Sequence, residues 1–355
     1  MIKKSHIVLH LLILLVVACL LGNCGKKNQN KIDNAEIESI EVKIELLHFE
    51  QDLFNAKNAA EVLSLEKKYP DFYPVYMYQL MAGITGQANV SPEEAATNIL
   101  KNFTTVPDFG LWLKNRCDTV FPTLEPFKEE LTKAMKHYKY LFPRDTIPQF
   151  ITFLSPLVVN FPVIEGKNQM GIGLDMYLGS DFKVYHSYNL ADQFPNYRIR
   201  KMKKEYLLRD LVTAISENKI KTPMSSKRLV DEMIHEGKIL YMVDALIPET
   251  EDSIKMGYSS EQMEWAEENE SQIWAAMVDS KALYTTEPDD IRDYISDGPF
   301  TTAKGFGAGT APRVGSYIGW QIVKKYMELH PEVTIVKLLA LTDSDKIMTD
   351  ARYKP

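Results

Sequence analysis

The sequence predicts an α+β fold that is predominantly helical and contains one small sheet. Apolar residues recur at helical spacing between residues 49 and 142 and again after Pro195. The intervening segment 147–179 is instead rich in β-branched and aromatic residues and is broken up by turn residues. No repeat and no strong internal linker interrupts residues 46–355, which are therefore expected to form a single α-rich globular domain.

The composition is that of a globular protein and limits its partners. Of the 355 residues, 45% are apolar and 25% are charged. A formal net charge of −7 argues against nucleic acid as a partner, because no basic excess is present to displace counterions from phosphate groups. The three cysteines form no disulfide framework, since Cys19 and Cys24 lie in the N-terminal segment and Cys117 stands alone.

The N-terminal segment is typical of an export signal. Lys3 and Lys4 precede an apolar run over 7–21, which is shorter than the roughly 20 apolar residues that a spanning helix needs. An uncleaved membrane anchor is the alternative interpretation. The last residues, Leu21-Gly22-Asn23-Cys24, resemble a bacterial lipoprotein box, in which the cysteine is lipidated and becomes the mature N-terminus.

Residues 1–24 are accordingly predicted to be a lipoprotein signal peptide with Cys24 as the lipidation site. Cys19 is the competing site, but its use would leave two leucines exposed at the mature end. The polar residues that follow predict a flexible tether over 25–45. Several acyl chains on one cysteine anchor a protein firmly, because each buried CH₂ contributes about 0.8 kcal/mol. The expected partner of this end is therefore a lipid membrane.

The predicted elements follow one another along the chain. A first helix over 49–69 is ended by Pro70, and Ser91 is the N-cap of the next helix, which has Pro92 at its first position. Two or three strands are predicted within 147–179, the first pair joined near 165–168. The remaining predicted helices span 124–142, 203–218, 226–246, 260–283 and 317–330. Ser259 with Gln262 matches a capping box, and Pro248 follows the end of the helix over 226–246.

Side chains able to carry out chemistry are scarce. A catalytic zinc site usually has three protein ligands, two of them histidines in an HExxH helix. His235 and Glu236 begin such a motif, but the second histidine is missing. Cys117 is more typical of a small buried apolar group than of a nucleophile. The glycine-rich run 305–309 has no strand before it and no helix directly after it, so it is interpreted as a flexible loop and not as a nucleotide-binding turn.

A set of short strings resembles the GldB family, the gliding motility-associated lipoproteins of Bacteroidetes. They occur in the expected order and cover nearly the whole mature chain. The strings are 49–54, 67–72, 171–179, 194–197, 233–241, 257–258, 297–301 and 313–323. The resemblance implies a membrane-tethered lipoprotein of the gliding motility and associated protein secretion machinery, with other envelope proteins as its partners.

The part 146–330 also resembles a zincin metallopeptidase that has lost its metal. Residues 171–175 match the strand of such enzymes, and Lys204-Glu205-Tyr206-Leu207-Leu208 stands where HExxH is expected. Lys204 and Leu208 replace both histidines, Glu205 matches the general base, and Glu236 matches the third ligand. The resemblance therefore implies degenerate metal-site positions, no bound metal and no other cofactor. We expect Lys204 to fill the place of the metal and to pair with Glu236.

Two functions of different class follow from these observations. The first is a non-catalytic scaffold or partner-binding lipoprotein that faces the periplasm, attached to either the inner or the outer membrane. The second is a metal-dependent hydrolase or peptidase with an atypical site formed by Glu205, His235, Glu236 and His186, which would need an ion to activate water. A weaker third interpretation is a solute or glycan binder that uses exposed aromatic residues such as Trp265, Trp274 and Trp320, although Trp320 is expected to pack on its helix.

Overall fold

A small mixed sheet forms one part of the structure, a computed structural model that describes residues 34–82, 90–158, 162–220 and 228–355. Its strands are β1 (Leu46–His48), β2 (Gln149–Phe153), β3 (Val163–Glu165) and β4 (Gln169–Gly173), in the order β1-β2-β4-β3. The first three in that order are parallel, and β3 is antiparallel to β4. The predicted turn near residues 165–168 is present, but it joins β3 to β4, the second and third strands of the segment 147–179, and not the first pair. Strand β1 was not predicted.

Helices make up most of the described residues. In the described residues they are α1 (Asn34–Ser39), α2 (Phe49–Asn55), α3 (Ala59–Ser64), α4 (Tyr73–Val75), α5 (Pro92–Ile99), α6 (Trp112–Val120), α7 (Glu125–Leu141), α8 (Asn196–Ile199), α9 (Lys204–Glu217), α10 (Leu229–Leu246), α11 (Asp252–Met256), α12 (Ser260–Glu268), α13 (Glu270–Asp279), α14 (Pro288–Ile295), α15 (Val314–Leu329), α16 (Ile335–Ala340) and α17 (Ser344–Ala351). Short π-helical stretches span Tyr76–Leu80, Leu100–Thr104 and Pro107–Leu111. Among the described residues, no helix is both long and apolar enough to cross a membrane.

Most of the predicted helices are confirmed to within a few residues, including α7, α9, α10 and α15. Residues 226 and 227, predicted to begin α10, lie outside the described residues. The capping box at Ser259 is also present, with the Ser259 hydroxyl accepting from the Gln262 amide at 3.2 Å. Pro248 follows α10, which ends at Leu246.

Two predicted helices are interrupted, and in each case the local backbone explains the break. The helix predicted over 49–69 divides into α2 and α3 because Ala56 is extended and the Asn58 side chain caps α3, accepting from the Glu61 amide at 3.0 Å. The helix predicted over 260–283 divides into α12 and α13 at Asn269, whose backbone is not helical.

The tether prediction over 25–45 is wrong for its second half. Residues 34–39 form α1, and the side chains of Ile37 and Ile44 are buried against the domain. Lys136 of α7 donates to the carbonyl oxygen of Glu38 at 2.8 Å, which fixes α1 onto α7. Burial of two isoleucines explains why this polar stretch packs and does not remain free.

The central packing feature is the close crossing of α10 and α15. Both Gly237 and Gly319 lie at the crossing, where the two backbones are in direct contact. A Cβ atom on Gly319 would overlap the carbonyl oxygen of Met233, and one on Gly237 would overlap the carbonyl oxygen of Gly319. Only glycine therefore permits this approach, which explains Gly237 in the string 233–241 and Gly319 in the string 313–323.

The crossing predicts an unusual response to alanine. Replacing glycine by alanine inside a helix ordinarily stabilises a protein by up to about 1 kcal/mol. Gly319→Ala is expected instead to lower the free energy of unfolding by about 2–3 kcal/mol, because the added methyl group forces the two helices apart. Urea unfolding followed by circular dichroism measures the change.

Gly307→Ala is the matched control, because nothing lies within 4 Å of the position its Cβ would take. Its free energy of unfolding should stay within about 0.5 kcal/mol of the wild-type value. Equal stability of the Gly319→Ala and Gly307→Ala variants would show that the two backbones do not approach as closely as described.

Candidate functional site

Four of the strings that lie far apart in the sequence meet beside the helix crossing. They are residues 233–241 on α10, 257–258 after α11, 297–301 after α14 and 313–323 at the start of α15. Arg313 lies at the centre, directly before α15, with a left-handed backbone (φ +52°). This arrangement identifies the surroundings of Arg313 as the first candidate site.

Arg313 and Glu236 form the main contact of this cluster. The Arg313 Nη2 atom donates to the Glu236 Oε2 atom at 2.5 Å, and the Ser316 hydroxyl lies 3.4 Å from the same oxygen. The side chains of Arg313 and Glu236 are 17% and 20% exposed, so water screens the pair only in part. The carboxylate of Glu236 is thus already engaged by a cation and a hydroxyl group.

The Gly257-Tyr258 segment holds the loop before α15 in place. The Tyr258 hydroxyl donates to the carbonyl oxygen of Pro312 at 2.6 Å, which fixes the residue next to Arg313. Gly257 has a left-handed backbone (φ +73°), and its carbonyl oxygen accepts from Arg200 Nη2 at 2.8 Å. The string 257–258 therefore has a structural role at this site.

Further charges complete the cluster and balance one another. Lys201 forms an ion pair with Asp297. Burial lowers the pKa of Lys201, Asp297 opposes that change, and the nearby cations Arg209 and Arg313 lower the pKa further. Arg209 is held by Asp210 at 2.8 Å and by the carbonyl oxygen of Lys255 at 3.1 Å. The cluster is thus a network of mixed charge in which each of these cations has a partner.

A groove of about 450 Å³ is the second candidate site. It lies between α1, α7, the first turns of α9 and the segment 246–254, which runs from the end of α10 into α11. Its apolar side chains include those of Ile37, Leu208, Leu246 and Ile254. His137 lines the same groove, and burial lowers the pKa of its imidazole, although the carboxylates of Glu38 and Glu249 act in the opposite direction.

Carboxylates dominate the edge of this groove. Glu38, Glu130, Glu205, Glu249 and Glu251 all contribute to it and are exposed. Glu38 is paired with Lys136 at 3.4 Å. Within the described part of the chain, none of the other four glutamates forms a salt bridge. Because Lys133, Lys136 and Arg209 are the cations of the lining, the groove carries net negative charge.

The degenerate metal-site positions are divided between these two places. Glu205 and Leu208 line the groove, whereas Glu236 belongs to the Arg313 cluster. Lys204 is exposed, with its Nζ atom 5.2 Å from the centre of the Phe121 ring. The expected ion pair between Lys204 and Glu236 is therefore wrong, because Lys204 begins α9 while Glu236 faces the start of α15.

The other candidate residues also have separate surroundings. His186 is exposed and contacts the carbonyl oxygen of Ser180 at 2.8 Å, while the Nδ1 atom of His235 is buried without a partner in the described structure. Over the described ranges, no group of three or more His, Cys, Asp or Glu residues is placed to hold a metal ion. Cys117 is buried, and burial raises the pKa of its thiol. Cys24 lies outside the described residues.

Asp175 explains a further string, residues 171–179. Its carboxylate is fully buried at the end of β4 and accepts from the amides of Ser155 and Leu157 at 2.8 and 2.7 Å. The Ser155 hydroxyl adds a third hydrogen bond at 3.0 Å. Burial raises the pKa of Asp175, and these hydrogen bonds to the charged form act against that change. Asp175 shapes the turn after β2 and does not line either candidate site.

The sequence analysis named Glu236 of the first site and Glu205 and Leu208 of the second, but it missed the partners that surround them. Arg313 and Asp297 pair with Glu236 and Lys201 respectively, residues distant in sequence, so no local pattern predicted these contacts. Glu130 and Glu249 gave no signal, because an exposed glutamate on a helix or in a turn is common.

Comparison with known proteins identifies a family. A lipoprotein family model described as "Gliding motility protein GldB" matches residues 29–355. No curated protein and no solved structure matches the chain. The resemblance to zincin peptidases therefore gains no support from solved structures.

The pairing of Glu236 with Arg313 predicts that Arg313 and Lys204 differ in their contribution to stability. Arg313→Met should lower the free energy of unfolding by about 2 kcal/mol, because it leaves the partly buried Glu236 carboxylate without its cation. Lys204→Met should keep the free energy of unfolding within about 0.5 kcal/mol of the wild-type value, since Lys204 is exposed. Thermal unfolding of both variants tests the assignment. A Lys204→Met variant that is the less stable of the two would restore Lys204 as the partner of Glu236.

Lys238, next to Glu236 and Gly237 on α10, predicts a pH effect. It is 3% exposed, donates to the carbonyl oxygen of Leu341, and has a pKa lowered to about 8 by burial. Below pH 8 both folded and unfolded chains carry this charge, so its burial destabilises the fold; between pH 8 and about 10.5 the folded chain loses the proton first, and stability rises with pH.

Lys238→Met should therefore raise the free energy of unfolding at pH 7 by on the order of 1–2 kcal/mol, and the gain should shrink as the pH approaches 10. Urea unfolding of wild type and variant at pH 7, 8, 9 and 10 measures this difference. Lys204→Met serves as the exposed-lysine control. A gain that does not change with pH would contradict the burial of a charged amine.

Proposed function

The chain belongs to the GldB family of gliding motility proteins, and from this premise we propose that it is a lipid-anchored, non-catalytic scaffold of the gliding and associated protein secretion machinery. It faces the periplasm and binds other envelope proteins. The family implies the involvement in gliding motility; the anchor, the orientation and the absence of catalysis are the proposed parts.

The engagement of Glu236 by Arg313 is the observation that supports a non-catalytic role. A metal ligand must offer a free lone pair to the ion, whereas this carboxylate accepts from a guanidinium group at 2.5 Å and has a hydroxyl group nearby. On the zincin interpretation, Lys204 and Leu208 occupy the positions of the lost histidines. Arg313 then supplies the positive charge that a metal ion would have placed beside Glu236.

The position of α1 supports attachment through Cys24. Nine residues separate Cys24 from Asn34, where α1 begins. A chain of this length spans at most about 35 Å when fully extended. Since α1 is packed on α7, the domain is held close to the membrane surface and its groove lies at the anchored end.

Replacing each of the two candidate lipidation cysteines by serine, one at a time, tests the proposal in the source organism. A gene encoding Cys24→Ser should yield a chain that takes up no labelled palmitate, leaves the membrane fraction and does not restore colony spreading to a deletion strain. Cys19→Ser is the matched control and should behave as wild type. Membrane fractionation, palmitate labelling and spreading are measured on the same strains.

Two outcomes would contradict the proposal. Full spreading with an unlipidated Cys24→Ser chain would show that anchoring at this residue is not needed. The wild-type chain, purified without chelators or a histidine tag, should contain almost no zinc; about one equivalent, lost on Glu236→Gln, would identify a metal-dependent hydrolase.

A further inference from the structure

The groove between α1, α7, α9 and the segment 246–254 shares Arg209 with the cluster around Arg313 but is otherwise lined by different residues. We propose that this groove binds a basic, amphipathic peptide segment of a partner protein. The inference deepens the proposed partner-binding function and rests on it for its biological meaning. The binding itself follows from the shape and charge of the groove.

The first requirement for such a ligand is an apolar contact surface. Pro248, which is exposed, and Ile254, which is half-buried, provide it. They lie above a floor of buried side chains from four elements, namely Ile37 of α1, Ala134 of α7, Leu208 of α9 and Leu246 of α10. A volume of about 450 Å³ accommodates several aliphatic side chains of a peptide, within the usual range for ligand sites. An amphipathic segment could place one apolar face there.

The second requirement is a charge pattern that selects the ligand. Glu130, Glu205 and Glu249 surround the apolar part, and in the described structure no lysine or arginine forms a salt bridge with any of them. In the Arg313 cluster, by contrast, the carboxylate of Glu236 is paired with a cation. Unpaired carboxylates around an apolar surface favour a ligand that brings its own cations and disfavour anionic lipid headgroups.

The walls of the groove are held in position before any ligand arrives. The Arg209 side chain, which lines the groove, is held by Asp210 and by the carbonyl oxygen of Lys255. The other wall is fixed by the contact of Lys136 with Glu38. A preformed site of this kind loses little conformational entropy on binding.

A defined model peptide provides the test. The full lipidated chain is inserted into phosphatidylcholine nanodiscs, with empty discs as the blank, and titrated into fluorescein-labelled KLAKLLKKLAKLLK. Fluorescence anisotropy should show saturable binding of one peptide per chain. A peptide with glutamate in place of every lysine should bind at least tenfold more weakly.

Two charge variants make the test specific for the groove. The triple variant Glu130→Gln, Glu205→Gln, Glu249→Gln should weaken binding of the basic peptide at least tenfold. The matched control, Glu264→Gln, Glu267→Gln, Glu268→Gln, removes the same charge from the exposed face of α12 and should leave binding unchanged. Circular dichroism of all variants establishes that they are folded.

Three results would overturn the inference. Equal weakening by both triple variants would show general attraction to a negatively charged protein. Absence of saturable binding by the wild-type chain would show that the groove does not bind basic, amphipathic peptides. Binding that appears only after Lys26, Lys27 and Lys31 are replaced by glutamine would assign the groove to the chain's own segment 25–33. Peptide binding is measured on the purified chain, so it can fail while the lipidation and spreading experiments succeed, and the reverse also holds.

Discussion

The direct contact between the backbones of α10 and α15 is the constraint on which the rest of the site depends. Since Gly237 and Gly319 lack side chains, the two helices approach until their backbones touch. That approach brings Glu236 within reach of Arg313 and Ser316 at the start of α15. Lys238, which follows Gly237, is buried and donates a hydrogen bond to the carbonyl oxygen of Leu341. The crossing thus gives three consecutive residues different roles: Glu236 forms an ion pair, Gly237 contacts the other helix, and Lys238 donates a buried hydrogen bond.

The two candidate sites differ in how their carboxylates are satisfied. In the cluster around Arg313, Glu236 and Asp297 each lie against a cation, and burial makes those pairs necessary because an uncompensated charge would be costly there. In the groove, Glu130, Glu205 and Glu249 are exposed, so water can solvate them at little cost. The first arrangement stabilises the fold, whereas the second leaves negative charge that a ligand can neutralise.

Much of the fold could be predicted from the sequence, and the failures have physical causes. Long helices such as α7 and α15 were predictable because their apolar residues repeat with the helical period over many turns. Strand β1 was not, because its three residues are too few to show alternation and depend on pairing with β2 more than 100 residues away. The break after α2 was missed because the Asn58 side chain starts a new helix by capping it, and such a cap cannot be recognised from the spacing of apolar residues.

The site was less predictable than the fold, because its contacts join residues distant in sequence. The pairing of Lys204 with Glu236 was inferred from an expected alignment with a metal site, yet Arg313 occupies that position from 77 residues further along the chain. The expectation that a cation pairs with Glu236 was therefore correct, but the cation is Arg313 and not Lys204. The reason is that burial of a carboxylate demands a positive charge nearby but does not specify which element supplies it. Here the position of Arg313 is set by its left-handed backbone and by the hydrogen bond from the Tyr258 hydroxyl to the carbonyl oxygen of the preceding Pro312.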